Sequence, residues 1–145
     1  MTRIEERVDI RRPADSVFAY TTDAKSWPKW QSTIPEAEQT SPGPVGVGTT
    51  FKGIIRMMGR SMPWTAKATE FELSRRFGKI ITCGSITNEQ HNTYEPMDGG
   101  TRFTIVYDMK VGGLMKLFSP MIVGATRKGL KKALGNLKGL LEVNL

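Results

Sequence analysis

Apolar and charged positions alternate at the start of the chain. Ile4, Val8 and Ile10 stand among Arg3, Glu5, Glu6, Asp9 and Arg11, a two-residue period that predicts a half-buried strand stopped by Pro13. The period then lengthens. Ala14 to Thr22 spaces Val17, Phe18 and Tyr20 along one face of a short helix, and a second short helix carries Trp27 and Trp30, with Asp23 and Ser26 as capping side chains. The turn cluster Ser41 to Gly48 leads into a strand over Thr49 to Met58, and Gly59 with Arg60 makes the next turn. Met62 to Leu73 alternates Trp64, Ala66 and Ala68 with Thr65, Lys67 and Thr69, and Pro63, which cannot donate to a ladder, belongs near a strand start or a sheet edge. Strand-like runs follow at Phe77 to Ser85, Ile86 to Glu95 and Arg102 to Val111, with a turn over Pro96 to Gly100 between the last two. Short turns between consecutive strands make an antiparallel meander.

The final segment is helical. Ser119 and Pro120 form a good opening, and the helix is expected to run to about Val143. Leu130, Ala133, Leu134, Leu137, Leu140 and Leu141 share one stripe, with Lys128, Lys131, Lys132 and Lys138 opposite. Gly129, Gly135 and Gly139 weaken the helix by about 1 kcal/mol each relative to alanine, so packing must hold it in place.

With 145 residues, the chain has the size of one domain, and residues 1–145 are read as a single unit. Its 39% hydrophobic and 24% charged content fits neither disorder nor a membrane span. Met1 to Arg12 lacks the apolar core of a signal peptide, and the lone Cys83 has no partner for a disulfide, so a cytoplasmic location is expected. The formal charge of +7 keeps anionic partners in view, but the basic residues sit mainly on the last helix without interleaved aromatic platforms. No nucleic acid partner is therefore expected, while peripheral contact with an anionic membrane stays open. No phosphate loop or metal-ligand spacing is present, so neither a nucleotide nor a metal cofactor is expected.

Strand, two short helices, antiparallel strands and one long helix follow each other in an order that resembles the START-like, Bet v 1-like helix-grip architecture, more narrowly its polyketide cyclase/dehydrase and lipid-transport branch. Carrying the resemblance are Ile10-Arg11-Arg12-Pro13-Ala14-Asp15-Ser16-Val17-Phe18-Ala19-Tyr20 with Asp23, Trp27 and Trp30; Gly46-Val47-Gly48-Thr49; Ala68-Thr69-Glu70; Tyr94-Glu95-Pro96 with Gly100-Thr101-Arg102-Phe103-Thr104; and Leu137-Lys138 with Leu141-Glu142. The resemblance implies an α+β fold in which a curved antiparallel sheet of about seven strands wraps the C-terminal helix and encloses a cavity. It transfers no catalytic motif, because the superfamily includes carriers as well as cyclases and dehydratases.

Strand parity then selects a wall. With Tyr94 inward, Asn92, Gln90 and Asn88 follow; the other strands contribute Phe51, Ile55 and Met57, then Trp64 and Ala66, Ile81 with Cys83, and Phe103, Ile105, Tyr107 and Met109. Phe118 and Ile122 complete the candidate ligand-binding set, and Val111 to Phe118 reads as a gate or a plain connector. His91 takes the outward parity. Glu70 shares parity with Trp64, either as a rim carboxylate able to carry a proton or as the ion-pair partner of Arg76 or Arg102. Three functions stay in contention: carriage of a small hydrophobic or aromatic molecule; a cyclase/dehydratase-type enzyme using Tyr107 and Glu70; and a lipid-surface or partner-binding module.

Overall fold

A computed structural model describes residues 1–143. Its strands are β1 (Thr2–Ile10), β2 (Glu36–Gln39), β3 (Thr50–Met57), β4 (Arg60–Glu72), β5 (Arg76–Cys83), β6 (Ile86–Met97) and β7 (Gly100–Val111). They form a curved antiparallel sheet in the order β1-β7-β6-β5-β4-β3-β2, so the first strand lies beside the last. The helices are α1 (Ala14–Thr22), α2 (Trp27–Trp30) and α3 (Ser119–Leu141), the long C-terminal helix that the sheet wraps. This is the helix-grip architecture.

Turn chemistry sets the register, and it sharpens two of the expected boundaries. Met57 pairs with Arg60, so the turn is Met58–Gly59 rather than Gly59–Arg60. Both turn residues have positive φ, 53° and 76°, as a two-residue hairpin matched to strand twist requires. Met97 pairs with Gly100, which leaves Asp98–Gly99 as the whole turn and lengthens both flanking strands. Pro63 pairs with Ile54 of β3, while β5 begins to pair with β4 only at Thr65, so the proline sits where β4 has a neighbour on one side.

The caps divide. Asp23 accepts from the Lys25 amide at 3.0 Å, as expected of a capping carboxylate. Ser26 does not cap: its hydroxyl bonds the carbonyls of Tyr20 and Asp23 at 2.6 and 2.8 Å and leaves the α2 amides alone. Ser119 does not cap either, because a 3-10 turn over Gly113–Phe118 runs straight into α3 and places Ser119 in helical backbone. Pro120 keeps its place in the first turn, where its missing donor is harmless.

α3 buries Ile122, Thr126, Leu130, Ala133, Leu134 and Leu137, one continuous stripe three or four residues apart. Leu140 falls off that stripe and is half exposed. Lys128, Lys131 and Lys132 face outward, whereas Lys138 turns back to β1, donating to the Asp9 carbonyl at 2.6 Å and to Glu142 at 2.7 Å. Glu142 also accepts from the Arg11 amide at 2.8 Å, and the Arg12 guanidinium donates to the Leu141 carbonyl at 2.6 Å. The end of α3 is thus clasped to the β1–α1 corner. The bond from Lys138, followed by the Arg11 amide, holds the Glu142 carboxyl down at about 2.

Between the sheet and the helices, one half is solid. Phe18 of α1 meets Tyr94 and Phe71 edge-on, with ring centroids 4.9 and 5.3 Å apart, and Tyr94 lies against Phe103 at 4.9 Å. Trp30, Phe51 and Phe77 fill the remainder. The buried Tyr94 hydroxyl bonds Thr21 at 2.6 Å and the Trp27 indole donates to the Thr21 carbonyl at 2.8 Å, so these polar tips are satisfied inside.

Candidate functional site

Cross-strand pairing stacks the inward side chains in rows. Ala68, Lys79, Gln90 and Tyr107 make one row across β4 to β7; Ala66, Ile81, Asn88 and Met109 make the next; Cys83 and Ile86 follow. On the other side of the Lys79 row lie Phe77, Asn92 and Ile105, then Tyr94 and Phe103, all in the solid half. The Lys79 row is the boundary. Beyond it opens a cavity of about 120 Å³, roofed by Ile122, Thr126, Leu130 and Ala133 of α3, and walled by Trp27, Gln31, Thr33 and Ile34 from α2 and the loop after it. Its opposite wall is Ile55, Met57, Met62 and Trp64. This apolar enclosure with a few convergent polar groups has the character of a small-molecule site.

Lys79 is its most unusual member. The side chain is 5% exposed, and Nζ sits 3.4 Å from the centroid of the Trp27 ring and 5.8 Å from those of Phe51 and Phe77. Among the described residues it takes part in no salt bridge. Burial disfavours the charged form and pushes the amine down to about 7, so both protonation states are accessible near neutral pH. Beside it, burial pushes the Tyr107 phenol up to about 12 and also raises the Cys83 thiol. Two buried polar atoms on the cavity wall lack partners, Trp64 Nε1 and Asn88 Oδ1. Gln90, in contrast, donates through Nε2 to Asn92 Oδ1 at 2.9 Å.

Of the residues that parity selects, Ile55, Met57, Trp64, Ile81, Cys83, Gln90, Tyr107, Met109 and Ile122 line the cavity. Asn92, Tyr94, Phe103 and Ile105 point inward and are buried in the solid half, while Phe51 and Ala66 share the row of Ile81 and Asn88 but do not line the cavity, Phe51 lying against the Trp27 ring at 4.9 Å. Phe118 stands outside the site. It is half exposed, on a 3-10 turn of which Met115 packs partly against the core, and Ile122 is the first fully buried residue of the helix that follows. Together with Leu114, Leu117 and Met121 it forms an exposed apolar cluster at the start of α3.

Glu70 is also misplaced by parity. The register slips between Ala68 and Glu70, so Ala68 pairs with the inward Lys79 while Glu70 pairs with Gly78 on the outer face. There it lies 3.7 Å from Arg76 and 3.6 Å from His91, which shares the outer face. Folding also gathers Glu89, His91 and Asp108 there, with ligand atoms within 4.8 Å of one another, a grouping that sequence spacing did not announce. Asp108 is already paired with Arg3 at 3.0 Å, which neutralises its carboxylate. Lys79 lines the cavity but is absent from the wall that strand parity selects. The signal was there: Phe77, Lys79, Ile81 and Cys83 share one parity, and choosing Ile81 and Cys83 already commits Lys79 to the interior.

Among proteins of known sequence, an uncharacterized protein of Mycobacterium tuberculosis is 28% identical over 138 residues, covering 86% of this chain and 77% of that protein. An aromatase/cyclase from a Streptomyces species superposes with a TM-score of 0.85 at 14% identity, covering 97% of this chain and 93% of that one. A START superfamily protein from Mycobacterium smegmatis gives 0.82 at 15% identity, with 97% of each chain covered. These structural likenesses show the fold. The sequence itself matches a family model over residues 1–142, and the chain belongs to the family described as polyketide cyclase / dehydrase and lipid transport.

Proposed function

We propose that this protein binds and carries a small, mostly apolar molecule in the cavity between the sheet and α3. The observation that supports this reading is the enclosed cavity whose apolar wall holds partnerless polar atoms, since buried polar groups are ordinarily bonded and Trp64 Nε1 and Asn88 Oδ1 are not. A ligand carrying an acceptor for the indole N–H and a donor for the amide oxygen would complete them. Native mass spectrometry with 2-naphthamide, a neutral aromatic amide, tests the reading. One ligand per chain is expected, lost in Ala125→Phe, whose ring would occupy space under α3. Absence of a complex, or equal binding by the filled variant, overturns it.

Lys79 favours a second reading, an enzyme of cyclase or dehydratase type. With Glu70 on the outer face, Lys79 and Tyr107 supply the cavity's acid and base functions, one on each side of Gln90. An amine titrating near 7 is suited to move protons on an enolisable substrate. Turnover of a poly-β-ketone analogue should then be lost in Lys79→Met and reduced in Tyr107→Phe. Turnover retained in both variants rejects this reading.

A further inference from the structure

Resting on that binding function, we propose that the ligand is a small organic carboxylate, its anionic group seated against Lys79 and its apolar body lying along Trp64, Ile81, Met109 and Ile122. The fold leaves the charge of Lys79 without a counter-ion among the described residues. The Lys79 Nζ lies against the rings of Trp27, Phe51 and Phe77, and the cavity it shares is lined from β6 by Gln90 and Asn88, from β7 by Tyr107, from β4 by Trp64, from its own strand by Ile81 and Cys83, and from α3 by Ile122, Thr126 and Leu130. The titratable members of that set are Tyr107 and Cys83. Burial keeps both in their neutral forms, so neither supplies a counter-charge.

An ammonium enclosed this way is costly unless something pairs it, and the Trp27 face supplies only part of the compensation. Of the two unpartnered atoms, the Trp64 indole points the same way, whereas Asn88 Oδ1 is an acceptor that a carboxylate does not complete. Trp64 Nε1 is a donor without an acceptor, and an indole N–H can only donate. Two donors on one apolar wall call for an acceptor-rich group, and a carboxylate offers two oxygens with about four lone-pair sites. Beyond this row the wall is mostly aliphatic, thioether and aromatic, with Gln31, Thr33, Asn88 and Thr126 as neutral polar members, which accepts a hydrocarbon body but would leave a second charge unpaired. Attraction between the chain's net charge of +7 and an anion would further speed encounter.

The test compares two ligands of one shape, 2-naphthoate and 2-naphthamide, by isothermal titration calorimetry at about pH 6 and about pH 9. Wild type is expected to bind the carboxylate at least tenfold more tightly at the lower pH. That preference should shrink as the ammonium deprotonates above about 7, by up to about tenfold per pH unit, while the amide affinity shows no such fall. In Lys79→Met the ratio of the two affinities should collapse. Equal binding of both ligands to wild type at pH 6, or a preference that ignores pH, overturns the carboxylate assignment while leaving the binding function in place. Failure of both ligands to bind wild type removes the binding function and this inference with it. The wild-type pH profile decides the matter even where the variant does not fold.

Discussion

Replacing Lys79 with methionine should make the protein more stable, by an amount that depends on pH. The folded-state pKa of about 7 lies some three and a half units below the unfolded value of 10.5, and at about 1.4 kcal/mol per unit the buried ammonium costs up to about 5 kcal/mol. The sign follows from proton binding. Between about 7 and 10.5 the unfolded chain carries the proton and the folded chain does not, so wild-type stability rises with pH across that window. Below about 7 both states are protonated and the full penalty applies. Methionine has similar length, no charge and a comparable fit against Trp27, so Lys79→Met removes the penalty and with it the slope. Urea denaturation followed by tryptophan fluorescence at pH 6, 7 and 8.5 reads the difference. The variant should be more stable by several kcal/mol at pH 6 and 7, and its advantage should shrink by about 2 kcal/mol by pH 8.5. Parallel pH profiles for the two proteins, or a variant less stable than wild type at pH 6, would refute the reasoning.

Three other perturbations probe the frame around the site. Glu142→Gln weakens the clasp on the end of α3: the folded carboxyl titrates at about 2, below its unfolded value, so its contribution is complete above about 4.5 and lost as pH falls toward 2. The variant should melt below wild type at pH 7, with the gap closing in acid. Thr21→Val removes the partner 2.6 Å from the buried Tyr94 hydroxyl and should cost about 1 to 3 kcal/mol, and the double variant with Tyr94→Phe should cost less than the two singles added together. In Gly53→Ala the new methyl would meet the Trp64 ring at 2.6 Å and collide with the Glu36 carbonyl, so about 1 to 3 kcal/mol of overpacking and a changed near-ultraviolet dichroism are expected.

Much of the frame was legible in the residues, and the exceptions have physical causes. Alternation in β1, the short helix after Pro13 and the leucine stripe of α3 each depend on one element's own periodicity. β2 has no such signature: Glu-Ala-Glu-Gln becomes a strand because it pairs with the edge of β3, where Gly53 allows the Glu36 backbone to approach closely. Glu70 was assigned inward because a bulge is invisible to a count by twos. Tyr94 and Asn92 do point inward, but parity gives direction only; whether an inward side chain meets space or another ring depends on Phe18 and Trp30, which arrive from elsewhere in the chain. Lys79 was hidden differently, by the expectation that an interior position is apolar.

Whether the space between the Lys79 row and α3 is a ligand site is read directly from a crystal structure of the protein grown with saturating 2-naphthamide. The naphthalene ring is expected between Trp64 and Ile122, with its amide near Lys79 and Tyr107. Ligand density only on the outer face of the sheet, or a cavity closed by Met57, Met62 and Met109 with no ligand inside, would contradict a ligand site there.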